Sequence, residues 1–303
     1  MADILIKAGA FVSIIVLGFV LRRVGFFKEG DFHILSKIVL KITMPAAIVA
    51  NFAGAVVKPS LLVLSLLGLG GGVLMILLAV VLTTGKSREE RAFHILNMSG
   101  YNIGNFSMPF AQGFLGPTGV VATSLFDLGN AIICLGGSYS LASMSAEGKK
   151  KFSLLPMIKT LFQSIPFDIY LFMTILSLFH WNLPGPVLTF AGIVGNANAF
   201  LAMLMVGVGF KLSSDKEQVG KIFKIIFVRY TVAFLLCVAF FFCLPLGLEY
   251  RQALAILVFS PISSAATAFT AELKGDYGLA SAVNSLSIVV SIALMTITLL
   301  VVL

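Results

Sequence analysis

The chain is a succession of long apolar runs separated by short segments of charged or turn-forming residues. A membrane-spanning helix needs roughly 20 apolar residues, and each run is of about that length. The pattern therefore predicts an all-α polytopic membrane protein with ten transmembrane helices. The predicted spans, numbered 1 to 10, cover residues 4–24, 33–56, 60–84, 90–113, 118–144, 153–179, 186–210, 219–244, 251–273 and 277–302, with boundaries uncertain by about two to four residues.

The two halves of the chain carry matching patterns. Residues 1–146 hold spans 1 to 5, residues 152–303 hold spans 6 to 10, and a basic, cytoplasmic linker, 147–151, joins them. Because five is an odd number, the two halves must cross the membrane in opposite directions. This is the arrangement of an inverted repeat, which is common in secondary transporters, so we predict a 5+5 inverted repeat.

Spans 4 and 9 are the worst helix formers of the set, and they occupy the same place in the two halves. Span 4 contains SGYNIGNFSMP, with Gly104 and Pro109, and span 9 contains FSPISSAATAF, with Pro261. Proline removes a backbone donor and disrupts a helix. Paired interrupted helices point to a transport site, so we predict that spans 4 and 9 are broken and cross each other. The alternative for span 4 is a kinked helix that packs closely through Gly100 and Gly104.

Small polar side chains cluster around the two interruptions. Backbone groups freed at a break cannot face lipid, so they must face protein or a water-filled cavity. The N-terminal ends of half-helices carry partial positive charge, which favours an anionic or strongly polar solute. For the serines, the alternative is that they only satisfy freed carbonyls. The predicted substrate-binding residues are Asn102, Asn105, Ser107, Ser260, Ser263 and Ser264.

Span 5 holds an acid within its apolar run, Asp127. An ionisable residue inside the membrane is costly and suggests a function. Asp127 could carry a coupling proton, bind a cation or pair with Arg229 in span 8. Asn130 lies one turn later on the same face, and Asn284 holds the comparable place in span 10. We predict a coupling or polar supporting role for Asp127, Asn130 and Asn284, and a cation/proton antiporter that uses Asp127 is the alternative function.

Composition and charge agree with a membrane environment. The chain is 59% hydrophobic and 11% charged, whereas soluble domains carry about 25% charged residues. Its net charge of +8 needs no nucleic-acid partner, because most lysines and arginines lie in or beside the odd-numbered loops. The positive-inside rule places those loops in the cytoplasm and both termini outside.

Motifs for metal binding and for catalysis are missing from the sequence. The three cysteines lie in apolar runs without CxxC or Cys/His spacing, and the three histidines are isolated. A GxGD pair, a GxSG with histidine and an HExxH are all absent. We therefore expect no metal site, no cofactor and no enzymatic activity.

Four segments resemble the auxin efflux carrier family in its short bacterial form. They are NIGNFSMPFAQGFLGPTG in span 4, MVGVGFKL in span 7, FSPISSAATAFTAEL in span 9 and LASAVNSLSIVVSIALMTI in span 10. The resemblance implies a secondary active transporter in the bacterial inner membrane that works by elevator-type alternating access. Similar crossed helices occur in bile-acid symporters and sodium/proton antiporters.

The resemblance also implies a division of labour and a substrate class. A transport domain of spans 3–5 and 8–10 would be interleaved with a scaffold domain, through which a homodimer could form. The solute would be a small organic anion: a carboxylate, a dicarboxylate such as malonate or malate, or an auxin-like acid. No acid stands beside Pro261, where the bile-acid symporters use one for sodium. Sodium coupling is therefore less favoured than proton coupling or potential-driven efflux.

Overall fold

The protein is helical throughout the part of the chain that the structure describes. This computed structural model describes residues 2–28, 30–147, 154–210 and 218–303. Within those ranges the regular elements are all helices, and one isolated β-type bridge joins Tyr101 to Ile262. Seven helical segments there are long and apolar enough to cross a membrane. The prediction of an all-helical polytopic membrane protein is thus confirmed.

Within the described ranges, the first half of the chain contains eight α-helical segments. They are α1 (Ala2–Arg23), α2 (Asp31–Ile38), α3 (Met44–Asn51), α4 (Val63–Leu82), α5 (Arg88–Met98), α6 (Met108–Phe110), α7 (Gly116–Ile132) and α8 (Ser138–Glu147). π-Helical turns join α2 to α3 and α7 to α8, and they flank α6 on both sides. The predicted linker, 147–151, lies outside the described residues apart from Glu147 at the end of α8.

The second half also contains eight. They are α9 (Leu154–Leu161), α10 (Ile165–Leu178), α11 (Gly185–Asn196), α12 (Asn198–Gly209), α13 (Val219–Cys243), α14 (Leu248–Leu257), α15 (Ala265–Glu272) and α16 (Tyr277–Val302). Spans 6 and 7, predicted to be continuous, are interrupted at residues 162–164 and at Ala197. A proline in the first turn of α10, Pro166, suits a new helix start because its missing N–H has no intrahelical partner there.

Glycines allow two pairs of helices to pack with their backbones in contact. A Cβ atom at Gly68 of α4 would lie 2.1 Å from the carbonyl oxygen of Phe126 in α7, and one at Gly129 of α7 would lie 1.8 Å from that of Ser65. α1 and α12 approach each other in the same way. Small residues at such contacts replace the hydrophobic effect, which does not drive helix association in lipid.

The helices form two packed groups. One group comprises α1, α2, α3, α10, α11 and α12, and the other comprises α4, α5, α7, α8, α13, α14, α15 and α16. The interrupted helices of spans 4 and 9 belong to the second group; α12 of the first group packs beside span 4, and α3 and α10 pack against α7. The site described next lies where the two groups meet.

Candidate functional site

The two interrupted helices touch at their interruptions. Residues 99–102 separate α5 from its continuation, and residues 258–264 separate α14 from α15. Tyr101 and Ile262, from within these two interruptions, form an antiparallel bridge. Beside the bridge, the N–H of Asn102 donates to the carbonyl of Pro261 at 2.8 Å. The helices predicted to cross are therefore in direct backbone contact, and we call this contact the crossing.

In span 4 the crossing lies at Tyr101 and Asn102, earlier in the chain than Gly104 and Pro109, at which the sequence predicted the break. Gly100 adopts a φ of +73°, a left-handed conformation that favours glycine, and it ends the regular backbone there. Gly104 lies in a π-helical turn after the crossing, and Pro109 lies in α6. Of the three residues predicted to mark the crossover, only Pro261 lies at it. Pro109 lies between two π-helical turns, within a helix that continues from Ile103 to Leu115.

Side chains from the next helix in each half satisfy the backbone at the bridge. Asn130 of α7 accepts from the Tyr101 N–H at 2.9 Å and donates to the Tyr101 carbonyl at 2.9 Å. In α16, Asn284 donates to the Ile262 carbonyl at 3.1 Å, and Ser287 accepts from the Ile262 N–H at 3.1 Å. The backbone groups freed by the breaks are thus satisfied from within the protein, as the low-dielectric surroundings require.

A cavity of about 680 Å³ lies beside the crossing, between the two groups of helices. Eight of the predicted site residues line it: Asn102, Gly104, Asn105, Asp127, Asn130, Ser263, Ser264 and Asn284. Thr267 and Tyr170 also line it. Residues from five segments of the chain therefore share one space of a size that suits a small solute.

Two predicted substrate-binding residues lie elsewhere. The hydroxyls of Ser107 and Ser260 hydrogen-bond each other at 2.6 Å, and both side chains are fully buried. Neither residue lines the cavity. In this conformation the pair joins the two interrupted helices, and Ser260 also donates to the carbonyl of Leu257 at 2.5 Å. Their role in binding a solute stays a prediction.

Two helix N-termini face the cavity. Helical structure resumes at Ile103, directly after Asn102, and α15 begins directly after Ser264. The Asn105 side chain donates to the Ser264 hydroxyl at 3.3 Å, so it links the two N-terminal ends. The side-chain oxygen of Asn105, Oδ1, is buried and has no hydrogen-bond partner among the described residues. First-turn N–H groups and this oxygen together offer both donors and acceptors to a solute.

Asp127 supports Asn130 and does not pair with Arg229. Its carboxylate accepts from the Asn130 amide at 2.7 Å, and the buried hydroxyl of Tyr170 lies close to it. The hydrogen bonds that the Arg229 guanidinium makes within the described residues go to main-chain carbonyls at the crossing. Asp127 is nevertheless 8% exposed and lines the cavity, so it is accessible to a small solute or ion.

The lining of the cavity includes exposed residues at one end of several of its helices. Exposed side chains there are His33, Lys41, Gln163 and Tyr277, which come from the start of α2, the turn after α2, the interruption of span 6 and the start of α16. Arg22 also lines this end and donates to the carbonyl of Val208 at 2.9 Å. We call this end the mouth, and it is basic.

The opposite side of the crossing is filled by aromatic rings. Phe106, Phe110 and Phe114 stack in succession with ring centroids 5.2 and 5.6 Å apart. Phe11 of α1 meets the Phe110 ring edge-on at 5.1 Å. These rings pack α1 of the first group against the helical turns that follow the crossing in span 4.

A chain of polar contacts crosses between the two groups on the same side. Gln112 donates to the carbonyl of Gly195 at 3.1 Å and accepts from the Asn198 amide at 3.4 Å. Thr43 donates to the Asn198 carbonyl oxygen at 3.1 Å. We call this set of four residues the Gln112 link.

Sequence reasoning missed two central features. Tyr101 was overlooked because an aromatic residue in an apolar span gives no signal of unpaired backbone. Arg229 did stand out as a charge in an apolar helix, but carbonyl partners cannot be recognised from sequence.

No group of three or more His, Cys, Asp or Glu side chains within the described ranges could hold a metal ion.

Comparison with known proteins identifies the family. The sequence profile described as membrane transport protein matches residues 6–156, about half of the chain, which includes α1 to α8, the crossing residue Tyr101 and its partner Asn130. No curated protein matches the chain. The matched segment contains the motif of span 4 on which the resemblance to auxin efflux carriers rests. The chain belongs to the membrane transport protein family, the family of the auxin efflux carriers.

Proposed function

We propose that this membrane transporter carries a small organic anion by elevator-type alternating access. The solute would be a carboxylate, a dicarboxylate or an auxin-like acid. One observation carries the proposal: two interrupted helices meet at the bridge between Tyr101 and Ile262, beside a cavity of about 680 Å³ lined by polar groups from both. Broken helices that meet inside a membrane protein are the usual setting of a transport site.

The proposed architecture is ten spans in a 5+5 inverted repeat, made of residues 1–146 and 152–303. The support is local. Each half contributes one bridge residue, and each bridge residue is held by an asparagine from the helix that follows: Asn130 in α7 and Asn284 in α16. An inverted repeat predicts this correspondence, whereas a single kinked helix does not.

Electrostatics favour an anion as the solute. The helix N-termini that follow Asn102 and Ser264 both face the cavity, and helix N-termini attract negative charge. Lys41 and Arg22 line the mouth, where fixed positive charge raises the local concentration of anions. A carboxylate in the cavity would meet amide and hydroxyl donors from Asn102, Ser263 and Ser264.

The two groups of helices support an elevator. We assign α4, α5, α6, α7, α8, α13, α14, α15 and α16 to a transport domain and α1, α2, α3, α10, α11 and α12 to a scaffold. The Gln112 link and the contact between Phe11 and Phe110 join the two domains on the side away from the mouth. Movement of the transport domain would break these contacts and open that side. A homodimer through the scaffold stays a prediction of the family resemblance.

The position of the mouth supports an assignment of the conformational state and of the orientation in the membrane. It lies at the ends of α2 and α16 that adjoin the basic odd-numbered loops, which the positive-inside rule assigns to the cytoplasm. The structure would then be the inward-open state, with both termini outside. The bacterial inner membrane is the corresponding location.

A ligand screen on purified protein tests the proposal. Carboxylates, dicarboxylates and indole acids are added in turn while thermal unfolding is followed, because a ligand that binds only the folded state stabilises it by about 2.7 kcal/mol at 100 times its Kd. Uptake of a stabilising acid into proteoliposomes then establishes transport. The proposal fails if no organic acid stabilises the protein at any pH between mildly acidic and neutral.

A matched pair of asparagine variants locates the site. Asn102→Ala removes a side chain that lines the cavity and makes no capping bond, so folding should be retained while ligand stabilisation is lost. Asn182→Ala, at an exposed position outside this cavity, should change neither. Equal ligand stabilisation in both variants would remove Asn102 from the proposed site.

The alternative, a cation/proton antiporter, rests on Asp127 in the cavity wall. Asp127→Asn keeps an oxygen that can accept from Asn130 but cannot carry a proton or a full charge. The anion carrier is expected to retain anion uptake in this variant. Complete loss of proton-coupled or cation-coupled exchange, with folding preserved, would favour the antiporter.

A further inference from the structure

Arg229 of α13 is the largest of the fully buried side chains, with 1% of its surface exposed. Its guanidinium donates to carbonyls of both interrupted helices: Nη1 to Met98, and Nη2 to Gly100 at 2.9 Å, Ser260 at 3.2 Å and Pro261 at 3.4 Å. We call these four oxygens the carbonyl cage. Two of them come from span 4 and two from span 9.

The cage contains no carboxylate. The Arg229 cation is stabilised by carbonyl dipoles at and just beyond the C-terminal ends of α5 and α14, where helices carry partial negative charge. The guanidinium carbon also lies 5.0 Å from the centre of the Tyr101 ring, a cation–π arrangement. Removing this buried cation would leave the carbonyls of Met98, Gly100 and Ser260 to be satisfied by something else, whereas the Pro261 carbonyl would keep the N–H of Asn102.

Carbonyls at the C-terminal ends of half-helices are the groups that coordinate the coupling cation in broken-helix transporters. We propose that Arg229 is a tethered cation that fills this cage, so that the crossing carries its own positive charge and needs no inorganic cation to hold its half-helix ends together. Arg229 does not line the cavity and is therefore a positioning residue. The inference rests on the proposed function only for its transport readout.

The shape of the guanidinium explains the choice of arginine. Its planar fork presents five donors in fixed directions, whereas a lysine ammonium is a compact point charge with three. Oxygens from two separate backbone segments can be reached at once by the fork. Arg229→Lys should therefore keep the charge but lose part of the cage.

The test is chemical rescue, with a matched arginine as control. Arg229→Ala empties the cage, and free guanidinium at low millimolar concentration supplies the missing group. Arg251 is the control, because it donates to the carbonyl of Phe241 at 3.0 Å and lies over the same residue's ring at 5.7 Å, away from the crossing. Melting temperatures of wild type, Arg229→Ala and Arg251→Ala are measured with guanidinium, sodium, potassium or N-methylglucamine chloride.

The expected result is selective rescue. Guanidinium should raise the melting temperature of Arg229→Ala. It should leave the melting temperatures of wild type and Arg251→Ala unchanged, or lower them. Uptake of the transported acid by wild type should be equal in the sodium, potassium and N-methylglucamine salts. Arg229→Ala should lower the uptake rate by about 10- to 100-fold, which is the range seen when a group that orients the binding residues of a metal site is removed. Guanidinium should restore part of this uptake.

Two results would overturn the inference. One is a guanidinium effect of the same size on Arg229→Ala and Arg251→Ala; the other is a sodium requirement for wild-type uptake or stability. If Arg229→Ala fails to fold, Arg229→Lys and the wild-type ion series still decide the question. Selective rescue in a protein that no carboxylate stabilises would retract the proposed function and leave this inference standing.

Discussion

Replacing Asn130 with alanine removes three N–H···O hydrogen bonds in one step, together with a bond from the Cys134 thiol to the Asn130 side-chain oxygen at 3.3 Å. The amide accepts from the Tyr101 N–H, donates to the Tyr101 carbonyl and donates to the Asp127 carboxylate. The Tyr101 N–H would be left unpaired at a position that is 2% exposed, whereas the Tyr101 carbonyl would keep the N–H of Ile103 at 2.9 Å. Asn284→Ala is the matched variant, because it removes one bond of ordinary length while Ser287 continues to hold the Ile262 N–H.

The magnitude follows from the number of bonds. Side-chain hydrogen bonds between helices in membrane proteins contribute about 0.6 kcal/mol on average and about 1.7 at most. The two bonds to Tyr101 give about 1 to 3 kcal/mol for Asn130→Ala, and one bond gives about 0.6 to 1.7 kcal/mol for Asn284→Ala. We therefore expect Asn130→Ala to cost about 1 kcal/mol more than Asn284→Ala, because it removes one more interhelical bond and the bond to Asp127, and it leaves the buried Tyr101 N–H unpaired.

Equilibrium unfolding by SDS in mixed micelles, followed by circular dichroism, measures both free energies of unfolding. A Tyr101→Phe variant controls for changes at the ring that leave the backbone bonds intact. An equal cost for Asn130→Ala and Asn284→Ala would show that Asn130 does not hold the bridge, and the account of the crossing given above would have to be abandoned.

Three further predictions concern packing, access to the cavity and closure. Gly68→Ala places a Cβ 2.1 Å from a carbonyl of α7 and should lower the free energy of unfolding by about 1–3 kcal/mol in the same assay. Gly70→Ala, with nothing within 4 Å of the new Cβ, should be neutral or stabilising by up to about 1 kcal/mol, and equal effects of the two variants would contradict the close approach of α4 and α7. Cys134 lines the cavity. In a variant whose other two cysteines are replaced by serine, a membrane-impermeant maleimide should therefore label Cys134 from the cytoplasmic side, and more slowly when a binding acid is present. Labelling only from the outer side would reverse the assigned orientation. Gln112→Ala breaks the Gln112 link and should slow that cytoplasmic labelling by favouring the outward-open state, and an unchanged rate would exclude the link from the closed side.

Span positions were predictable because burial in lipid imposes one simple rule on every spanning segment. Apolar runs of sufficient length must become helices, and this rule placed α1, α4, α13 and α16 within a few residues of their observed limits. Interruption was also predictable where proline and glycine concentrate, as in spans 4 and 9. The break in span 6 was missed because Gln163 and Ser164 are ordinary helix-end residues whose meaning depends on what packs against them.

The exact place of the crossing depended on tertiary contact. Pro109 and Gly104 were the obvious candidates in span 4, but both are compatible with the helical turns that surround them. Tyr101 is at the crossing because α7 positions Asn130, which Asp127 holds, to bond both the N–H and the carbonyl of Tyr101. A backbone break is stable only where partners exist, and partners come from distant segments.

The sequence by itself determined the helical membrane class, the paired interruptions and the residue types that gather around them. These follow from the cost of exposing polar groups to lipid, which acts on each segment separately. Only the tertiary structure decided that Asn102 and Ser264 face a cavity, that Ser107 and Ser260 face each other, and that Arg229 is bound by carbonyls of two helices. Those outcomes depend on which side of a helix packs against which neighbour. A helix that is apolar on all sides does not show in its own sequence which side that will be.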